Sequence, residues 1–197
     1  MATFLKAVCV FCGCNRGVNP RYEGAAQSAG RLIAEQGLTL VYGGAQSGLM
    51  GVVAKAALAS GGRVIGVLPR GMMLREPPHS GLSELLVVDS MHERKALMAE
   101  RSDAFLALPG GLGTLEEVAE TISWTQLGLH DKPTGFLNVN GFFDPLRAQF
   151  DRMVEDAFVL PAHRGSIFFG DCPERLLGLL RDFDPPKVHK WIDPDES

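Results

Sequence analysis

Residues 103–120, DAFLALPGGLGTLEEVAE, place an apolar run, a glycine-rich turn and a helical pattern in direct succession. The run from Ala104 to Leu108 suits a buried strand, and Pro109 to Gly113 breaks it. Glycines allow the backbone to bend tightly and leave room for a ligand. The free N–H groups in the first turn of a helix favour an anion at that point. We therefore interpret this stretch as a phosphate cradle with the carboxylates of Glu116 and Glu117 directly behind it.

The same residues also allow a purely structural interpretation. Thr114-x-x-Glu117 matches a capping box, in which the threonine caps a helix and the glutamate returns to the cap N–H. The helix would then begin at Leu115. Capping explains these two residues, but it does not explain three glycines and a proline in the five positions before them. We therefore favour a ligand site.

The composition is typical of a globular protein. The chain has 197 residues, of which 46% are hydrophobic and 21% charged, and this predicts a single domain over residues 1–197. The net charge of −4 and the scattered basic residues argue against a nucleic-acid surface. The apolar run near the N-terminus is short and β-like, which indicates a strand rather than a signal peptide or a membrane span. We expect a cytoplasmic protein, with a tail from about residue 182 that is extended or disordered.

Two of the four cysteines, Cys9 and Cys12, have the spacing of half a zinc site. On a strand, however, residues three apart point to opposite faces. No second pair of ligands matches this one in the sequence. The pattern favours buried, reduced thiols and no metal.

Apolar strands alternate with helical patterns along the chain, which predicts an α/β fold with a doubly wound, mostly parallel sheet and helices on both faces. Ligands bind such sheets at the carboxyl ends of the strands. The glycine turns at Gly13, Gly43-Gly44 and 109–114 all lie at such ends, so we expect them to converge on one cleft. The predicted strands are 7–11, 38–42, 63–68, 84–88, 104–108, 133–139 and 166–169.

The glycine pattern is not that of a dinucleotide site. The fingerprint G-x-G-x-x-G is absent after the first strand, and the central turn has Glu116 where the third glycine would stand. The phosphate-loop pattern G-x-x-x-x-G-K-[ST] is absent as well. A mononucleotide or a sugar phosphate fits this turn better than NAD does.

Charged residues next to the predicted cradle supply the candidate chemistry. Arg94 and Lys95 follow Ser90, a predicted helix cap. Two cations near a helix start oppose its dipole, and a bound anion would offset this unfavourable interaction. The alternative is a surface arginine on an amphipathic helix. Glu116 and Glu117 lie about 100° apart on a helix, so we expect them to do different jobs.

With these residues in view, the sequence resembles the LOG ("Lonely Guy") family of cytokinin riboside 5′-monophosphate phosphoribohydrolases. The family signature P-G-G-x-G-T-x-x-E is complete at Pro109 to Glu117, and M-H-x-R-K is complete at Met91 to Lys95. Further matching segments extend the resemblance over roughly residues 7 to 180.

The resemblance implies hydrolysis of the N-glycosidic bond of a nucleoside 5′-monophosphate, which gives the free base and ribose 5-phosphate. It also implies a Rossmann-like fold, a homodimer and no metal or redox cofactor. The catalytic residues of the family fall on Arg94 and Glu117. Its substrate-binding positions fall on Glu76, Arg94, Lys95, Gly110, Gly111, Leu112, Gly113, Thr114, Leu115, Glu116, Glu117 and Ser123.

Three departures from the family pattern bear on the base that is recognised. Cys14 and Ala45 replace a usual serine and a frequent glycine, and Ser123 replaces a threonine. Two alternatives stay open: an AMP nucleosidase of purine salvage and, because LOG-like folds also occur in molybdenum-cofactor carriers, a non-catalytic carrier of a nucleotide or of that cofactor. The family has also been labelled lysine decarboxylase, but no lysine here has a recognisable pyridoxal-phosphate context.

Overall fold

The computed structural model describes residues 5–186, so the predicted tail beyond Pro186 lies outside the described residues. The strands are β1 Ala7–Phe11, β2 Thr39–Tyr42, β3 Val64–Pro69, β4 Glu84–Val88, β5 Ala104–Ala107, β6 Thr134–Leu137 and β7 Ile167–Gly170. The helices are α1 Pro20–Glu35, α2 Gly48–Ala59, α3 Met91–Glu100, α4 Leu112–Leu127, α5 Asp144–Glu155, α6 Pro161–Arg164 and α7 Pro173–Arg181. Two short 3₁₀ turns, Arg70–Met72 and Val139–Gly141, follow β3 and β6.

All seven described strands form one parallel sheet in the order β4-β3-β2-β1-β5-β6-β7. The chain winds outward from β1 to β4, crosses back through α3, and then winds the other way from β5 to β7. The predicted α/β, doubly wound fold is therefore confirmed. The order reverses between β1 and β5, and the carboxyl ends of two such strands are the usual position of a ligand crevice.

Helices cover both faces of the sheet, because the strands are apolar on both sides. On one face α1, α2 and α7 pack against the core that includes Val8, Val10 and Leu40. On the other face α3, α4 and α5 pack against Cys9, Val41 and Phe105. Alternate residues of each strand thus enter opposite cores, as strand geometry requires.

The predicted strand boundaries are correct to within two residues, and the predicted helix cap at Ser90 is confirmed. The side chain of Asn19 accepts the N–H of Arg21 at the start of α1 (3.0 Å). At the start of α3 the Ser90 hydroxyl accepts the N–H of Glu93 (3.1 Å), while the Glu93 carboxylate accepts the N–H of Asp89 (2.8 Å). The short helix α6 was not predicted, because four residues are too few to show a helical period.

The predicted start of α4 at Leu115 is wrong. The helix begins at Leu112 with Gly111 as its cap, and no side chain caps it. Thr114 therefore lies in the first turn and is buried rather than capping, so the capping-box interpretation fails. Gly113 lies inside the first turn of the helix instead of preceding it. The turn forms there because the N–H groups of a first turn need no acceptor within the helix.

Candidate active site

Backbone hydrogen bonds hold two of the glycine turns together at the β1–β5 switch point. The N–H of Gly13 donates to the carbonyl of Pro109 (3.1 Å), and the carbonyl of Gly13 accepts the N–H of Leu49 (3.0 Å). A Cβ on Gly110 would overlap the Thr114 side chain and come within 2.8 Å of the Gly13 nitrogen. Only glycine allows this close approach of the two backbones. The turns after β1 and β5 and the start of α2 therefore lie next to one another, as predicted.

The N-terminus of α4 is built to face a ligand. Gly111 caps it without a side chain, and both Gly111 and Gly113 stand in open space, with nothing within 4 Å of an added Cβ. The backbone N–H groups of the first turn have no acceptors within the helix. The positive end of a 16-residue helix is therefore open to an anion.

Arg94 is buried, with 5% of its surface exposed, so the interpretation as a surface residue is wrong. Its Nε donates to the carbonyl of Val67 (3.2 Å) and its Nη2 donates to the carbonyl of Gly43 (3.4 Å). A Cβ on Gly43 would overlap this guanidinium. The ends of β2 and β3 thus fix Arg94, and its Nη1 lies 3.7 Å from Oε1 of Glu117.

Glu117 lies opposite Arg94 on α4, with 12% of its side chain exposed. Burial raises the pKa of this carboxyl above its ordinary value, while the Arg94 charge lowers it and the neighbouring Glu116 carboxylate raises it further. The Arg94 charge stabilises the ionised carboxylate, but not enough to offset the cost of removing that carboxylate from water. A carboxyl in this state takes up a proton more readily than an exposed glutamate does.

Lys95 forms a second and tighter cluster. It is 7% exposed and its Nζ hydrogen-bonds to Glu116 and to Glu120, the latter at 3.0–3.1 Å. Burial alone would lower the pKa of Lys95, but the bonds to Glu116 and Glu120 outweigh burial and raise it. Sequence reasoning missed Glu120. The available signal was its i,i+4 spacing from Glu116, which places both acids on one side of α4.

Glu76 is brought to the site by the loop between β3 and β4. Its carboxylate is close enough to Glu117 to raise the pKa of that group. Two hydrogen bonds tie the loop to the turn after β2, from the N–H of Gln46 to Pro77 (3.2 Å) and from the N–H of His79 to Gly44 (3.0 Å). The resemblance assigned Glu76 to the substrate, and its position beside Glu117 is compatible with that role.

Three other predicted binding residues lie apart from the buried pair. Ser123 is exposed and its hydroxyl donates to the carbonyl of Ala119 (2.8 Å), about 9 Å along α4 from Glu117 and about 120° around it. Leu112 is 85% exposed, and Leu115 is also exposed. Within a single chain, the side chains of Ser123, Leu112 and Leu115 are therefore separate from the Arg94–Glu117 pair.

A cleft of about 260 Å³ opens beside the α4 N-terminus. Arg94 and Glu117 do not line it. Tyr22 and Phe142 form one side, with their rings in edge-to-face contact at 5.7 Å. The other lining residues are Gly13, Cys14, Asn15, Arg16, Gly17, Leu49, Pro109, Gly110 and Gly111. The cleft gives a ligand access to the first turn of α4 from the β1 side.

The two cysteines with the spacing of half a zinc site are separated by the sheet. Cys9 and Cys12 belong to the cores on opposite faces of the sheet, as strand alternation predicts. Burial raises the pKa of both thiols, and the Glu117 charge raises it further. Within residues 5–186, no group of three His, Cys, Asp or Glu side chains is arranged to hold a metal ion. Among the same residues, no helix combines the length and apolar character that crossing a membrane would require.

The fold and the residues at its switch point define a Rossmann-like protein of one particular family. The family profile described as "Possible lysine decarboxylase" matches residues 50–180, which is well over half of the chain. The chain is 52% identical over 180 residues to a "Probable cytokinin riboside 5'-monophosphate phosphoribohydrolase" of Oryza sativa subsp. japonica, covering 91% of this chain and 79% of that protein. It is 44% identical over 180 residues to a cytokinin riboside 5′-monophosphate phosphoribohydrolase of Arabidopsis thaliana, covering 91% and 84%.

The chain therefore belongs to the LOG family, as the two sequence motifs indicated. Solved structures with the same fold include the molybdenum cofactor binding protein of Rippkaea orientalis, with a TM-score of 0.69 at 24% identity over 90% of this chain and 96% of that one. The molybdenum cofactor carrier protein of Chlamydomonas reinhardtii has a TM-score of 0.67 at 23% identity over 88% and 99%. At these identities the likeness shows the fold alone.

Proposed function

We propose that the protein hydrolyses the N-glycosidic bond of cytokinin riboside 5′-monophosphates and releases the free cytokinin base and ribose 5-phosphate. The observation that carries this proposal is the buried Arg94–Glu117 pair close behind an open helix N-terminus. The names of relatives at 44% and 52% identity support it. Arg94 and Glu117, one residue from each motif, lie together in the fold, which is expected if they act on one substrate.

The phosphate would bind at the start of α4. The first-turn N–H groups, which have no acceptors within the helix, and the open space at Gly111 and Gly113 favour a dianion there. The substrate-binding positions that the resemblance implies include this turn, residues 110–117. The helix dipole then supplies attraction without a buried lysine at the phosphate.

Glu117 would act at the ribose. Breaking the bond between C1′ and the base nitrogen builds positive charge on the sugar, and a nearby carboxylate stabilises that charge. Water adds its OH to C1′ and its proton goes to the departing base. Because its pKa is raised, Glu117 is also suited to take the proton of the attacking water.

Arg94 would act at the departing base. The base gains negative charge as the bond breaks, and a fixed cation offsets it. We favour this role over phosphate binding because Arg94 is anchored to the carbonyls of Gly43 and Val67 rather than to the first turn of α4. Its Nη1 stays next to Glu117, so both charges can face the bond that breaks.

We also propose a single-domain, cytoplasmic protein that works as a homodimer without a metal or redox cofactor. All seven described strands join one sheet, which supports one domain. Four large apolar side chains are exposed on the elements that carry the predicted site residues, namely Leu74 in the β3–β4 loop, Met91 on α3, and Leu112 and Leu115 on α4. A second copy covering these side chains would account for their exposure, since exposed apolar surface often marks an interaction surface.

The test compares two substrates, AMP and isopentenyladenosine 5′-monophosphate, with free base and ribose 5-phosphate as the measured products. Cleavage of the isopentenyl compound with poor AMP turnover is the expected result. Comparable cleavage of both would indicate a general AMP nucleosidase. Cleavage of neither, with nucleotide binding intact, would contradict an enzymatic role and favour a carrier.

A further inference from the structure

The cleft of about 260 Å³ beside the start of α4 has no part in the reaction proposed above. Gly110 and Gly111 line it, and Gly111 also caps α4, whereas Arg94 and Glu117 do not line it. In the proposed substrate complex the phosphate lies at the first turn of α4, and the ribose and base extend toward Glu117 and Arg94. The phosphate then has the reacting bond on one side and the cleft on the other.

Two aromatic side chains form one wall of this cleft. The rings of Tyr22 and Phe142 are in edge-to-face contact, with their centroids 5.7 Å apart. Phe142 is 39% exposed, and a large apolar side chain that is open at a cleft commonly marks a place where a ligand packs. Gly17, at a φ of +71°, lies so close to Tyr22 that an added Cβ would stand 2.9 Å from the ring. The backbone at Gly17 therefore fixes one edge of the Tyr22 ring.

The size and charge of the cleft favour an uncharged ring as its occupant. Its volume of about 260 Å³ exceeds the roughly 150 Å³ of a cavity that binds benzene in another protein. Arg16, the charged residue among the described lining residues, donates to both carboxylate oxygens of Glu23 (3.0 and 3.1 Å). Its charge is thus largely offset, so the cleft is poorly suited to a second anion. Another aromatic ring can pack against the ring faces and edges of Tyr22 and Phe142.

We propose that the protein also takes nucleotides whose 5′-phosphate is esterified by a second, aromatic group, and that this group lies in the cleft against Tyr22 and Phe142. The inference rests on the proposed function, because it needs the phosphate at the first turn of α4. The second ester oxygen leads away from the ribose and so directs its substituent into the cleft. The reaction is unchanged. Water adds its OH to C1′, its proton goes to the departing base, and the sugar product is a ribose 5-phosphodiester instead of ribose 5-phosphate.

The binding test uses carbocyclic AMP, in which a methylene group replaces the ring oxygen of the ribose, so that the bond to the base resists hydrolysis. The methyl and phenyl phosphodiesters of this compound carry the same charge and differ in the ring alone. Isothermal titration calorimetry with the full chain measures the affinity of all three compounds. The phenyl ester is expected to bind about tenfold more tightly than the methyl ester, since stacking on aromatic side chains contributes roughly that factor.

Two variants test where the ring lies. Tyr22→Ala and Phe142→Ala are each expected to reduce the difference between the phenyl and methyl esters to less than about twofold, and to leave the affinity for carbocyclic AMP unchanged. Phe158→Ala is the matched control, because Phe158 is 78% exposed and does not line the cleft. This control should keep the full difference between the two esters.

A second measurement on the unaltered chain covers a variant that does not fold. Cys14 is exposed and lines the cleft, so iodoacetamide should alkylate it. At equal occupancy, the phenyl ester should slow this alkylation more than the methyl ester does. Cys172 does not line the cleft, and its alkylation, followed by mass spectrometry in the same samples, should be the same with both esters.

The outcomes separate this inference from the proposed function. If carbocyclic AMP binds, then failure of both esters to bind, equal affinity of the two esters, or equal protection of Cys14 would overturn the inference alone. A full difference between the esters in folded Tyr22→Ala and Phe142→Ala proteins would do the same. If these variants weakened carbocyclic AMP as much as its phenyl ester, the nucleoside itself would occupy the cleft and the inference would be wrong. Failure of carbocyclic AMP to bind would contradict the proposed nucleotide site, and the inference would fall with it.

Discussion

Arg94 and Lys95 are neighbours in the sequence and both are buried cations, yet they are held in opposite ways. Arg94 has two backbone carbonyls at 3.2 and 3.4 Å and a single carboxylate at 3.7 Å. Lys95 has two carboxylates, Glu116 and Glu120, at hydrogen-bonding distance. The lysine is saturated by acids of its own chain, whereas the arginine is anchored and still has donors to offer. This difference suggests that Lys95 holds α3 against α4 while Arg94 meets the substrate.

The most severe test of this contrast is to remove the acid opposite Arg94. Glu117→Gln keeps the size of the side chain but cannot carry the charge or move the proton, so kcat for isopentenyladenosine 5′-monophosphate should fall roughly 10²–10⁴-fold. Far-UV circular dichroism should be unchanged. The matched control is Glu155→Gln, an exposed acid near the end of α5. Turnover close to that of the control would remove Glu117 from the catalytic role.

A smaller loss is expected when only the shape of the cation changes. Arg94→Lys keeps the charge, but one ammonium group cannot reach Val67, Gly43 and Glu117 together as the guanidinium does. A misplaced catalytic group typically costs roughly a hundredfold, so we expect kcat/KM to fall by about that factor. Arg175→Lys, an exposed residue of α7, is the control. If Arg94→Lys retained full activity, a point charge would suffice and the two carbonyl anchors would have no role in positioning.

Sequence alone predicted the part of the molecule that depends on local pattern. Apolar runs marked the strands, and glycine turns at their carboxyl ends predicted the crevice at Gly13 and Pro109, because strand ends in a parallel sheet share one edge. The burial of Arg94 and Lys95 could not be read from the sequence, since an arginine or lysine on an amphipathic helix ordinarily lies on its solvent-exposed face. Their burial results from tertiary contacts: Arg94 lies against the carbonyls of Gly43 and Val67, and Lys95 lies against Glu116 and Glu120 of α4.

The errors have the same origin. Glycines were taken to delay the start of α4, whereas the helix begins at Leu112 because a first turn needs no bonded N–H. Glu120 was overlooked because its significance depends on Lys95, which is distant along the chain. The resemblance placed Ser123 with the substrate; in the structure Ser123 lies about 120° around α4 from Glu117, and its role at the substrate stays a prediction.

The lysine cluster should appear in stability measurements. Lys95→Met leaves Glu116 and Glu120 without their cation, and because Glu116 is largely exposed, the free energy of unfolding should fall by about 2 kcal/mol. Urea denaturation measures this. Lys55→Met, on the exposed side of α2, should change it little. If Lys95→Met reduced turnover as severely as Glu117→Gln with no loss of stability, Lys95 would be a substrate group and the contrast with Arg94 would fail.

The smallest expected effect is the pH dependence that Glu117 imposes on stability. Burial raises its pKa in the folded chain despite Arg94, so the folded state holds this proton more tightly than the unfolded state does. The resulting contribution to stability is fully present below the unfolded pKa, roughly 4, and is lost as the pH rises through the raised folded pKa. Glu117→Gln lacks this contribution. The free energy of unfolding of the wild type minus that of the variant should therefore decline as the pH rises from about 4, the pKa of an unfolded glutamate, toward neutrality.

Urea denaturation of both proteins over a pH series measures the difference, with Glu155→Gln expected to run parallel to the wild type. The sign of the slope is decisive. If the stability of the wild type instead increased relative to Glu117→Gln as the pH rose, the Arg94 charge would outweigh burial and hold the Glu117 carboxyl ionised. Arg94 would then be neutralised within the chain much as Lys95 is, and it would have less attraction left for the departing base.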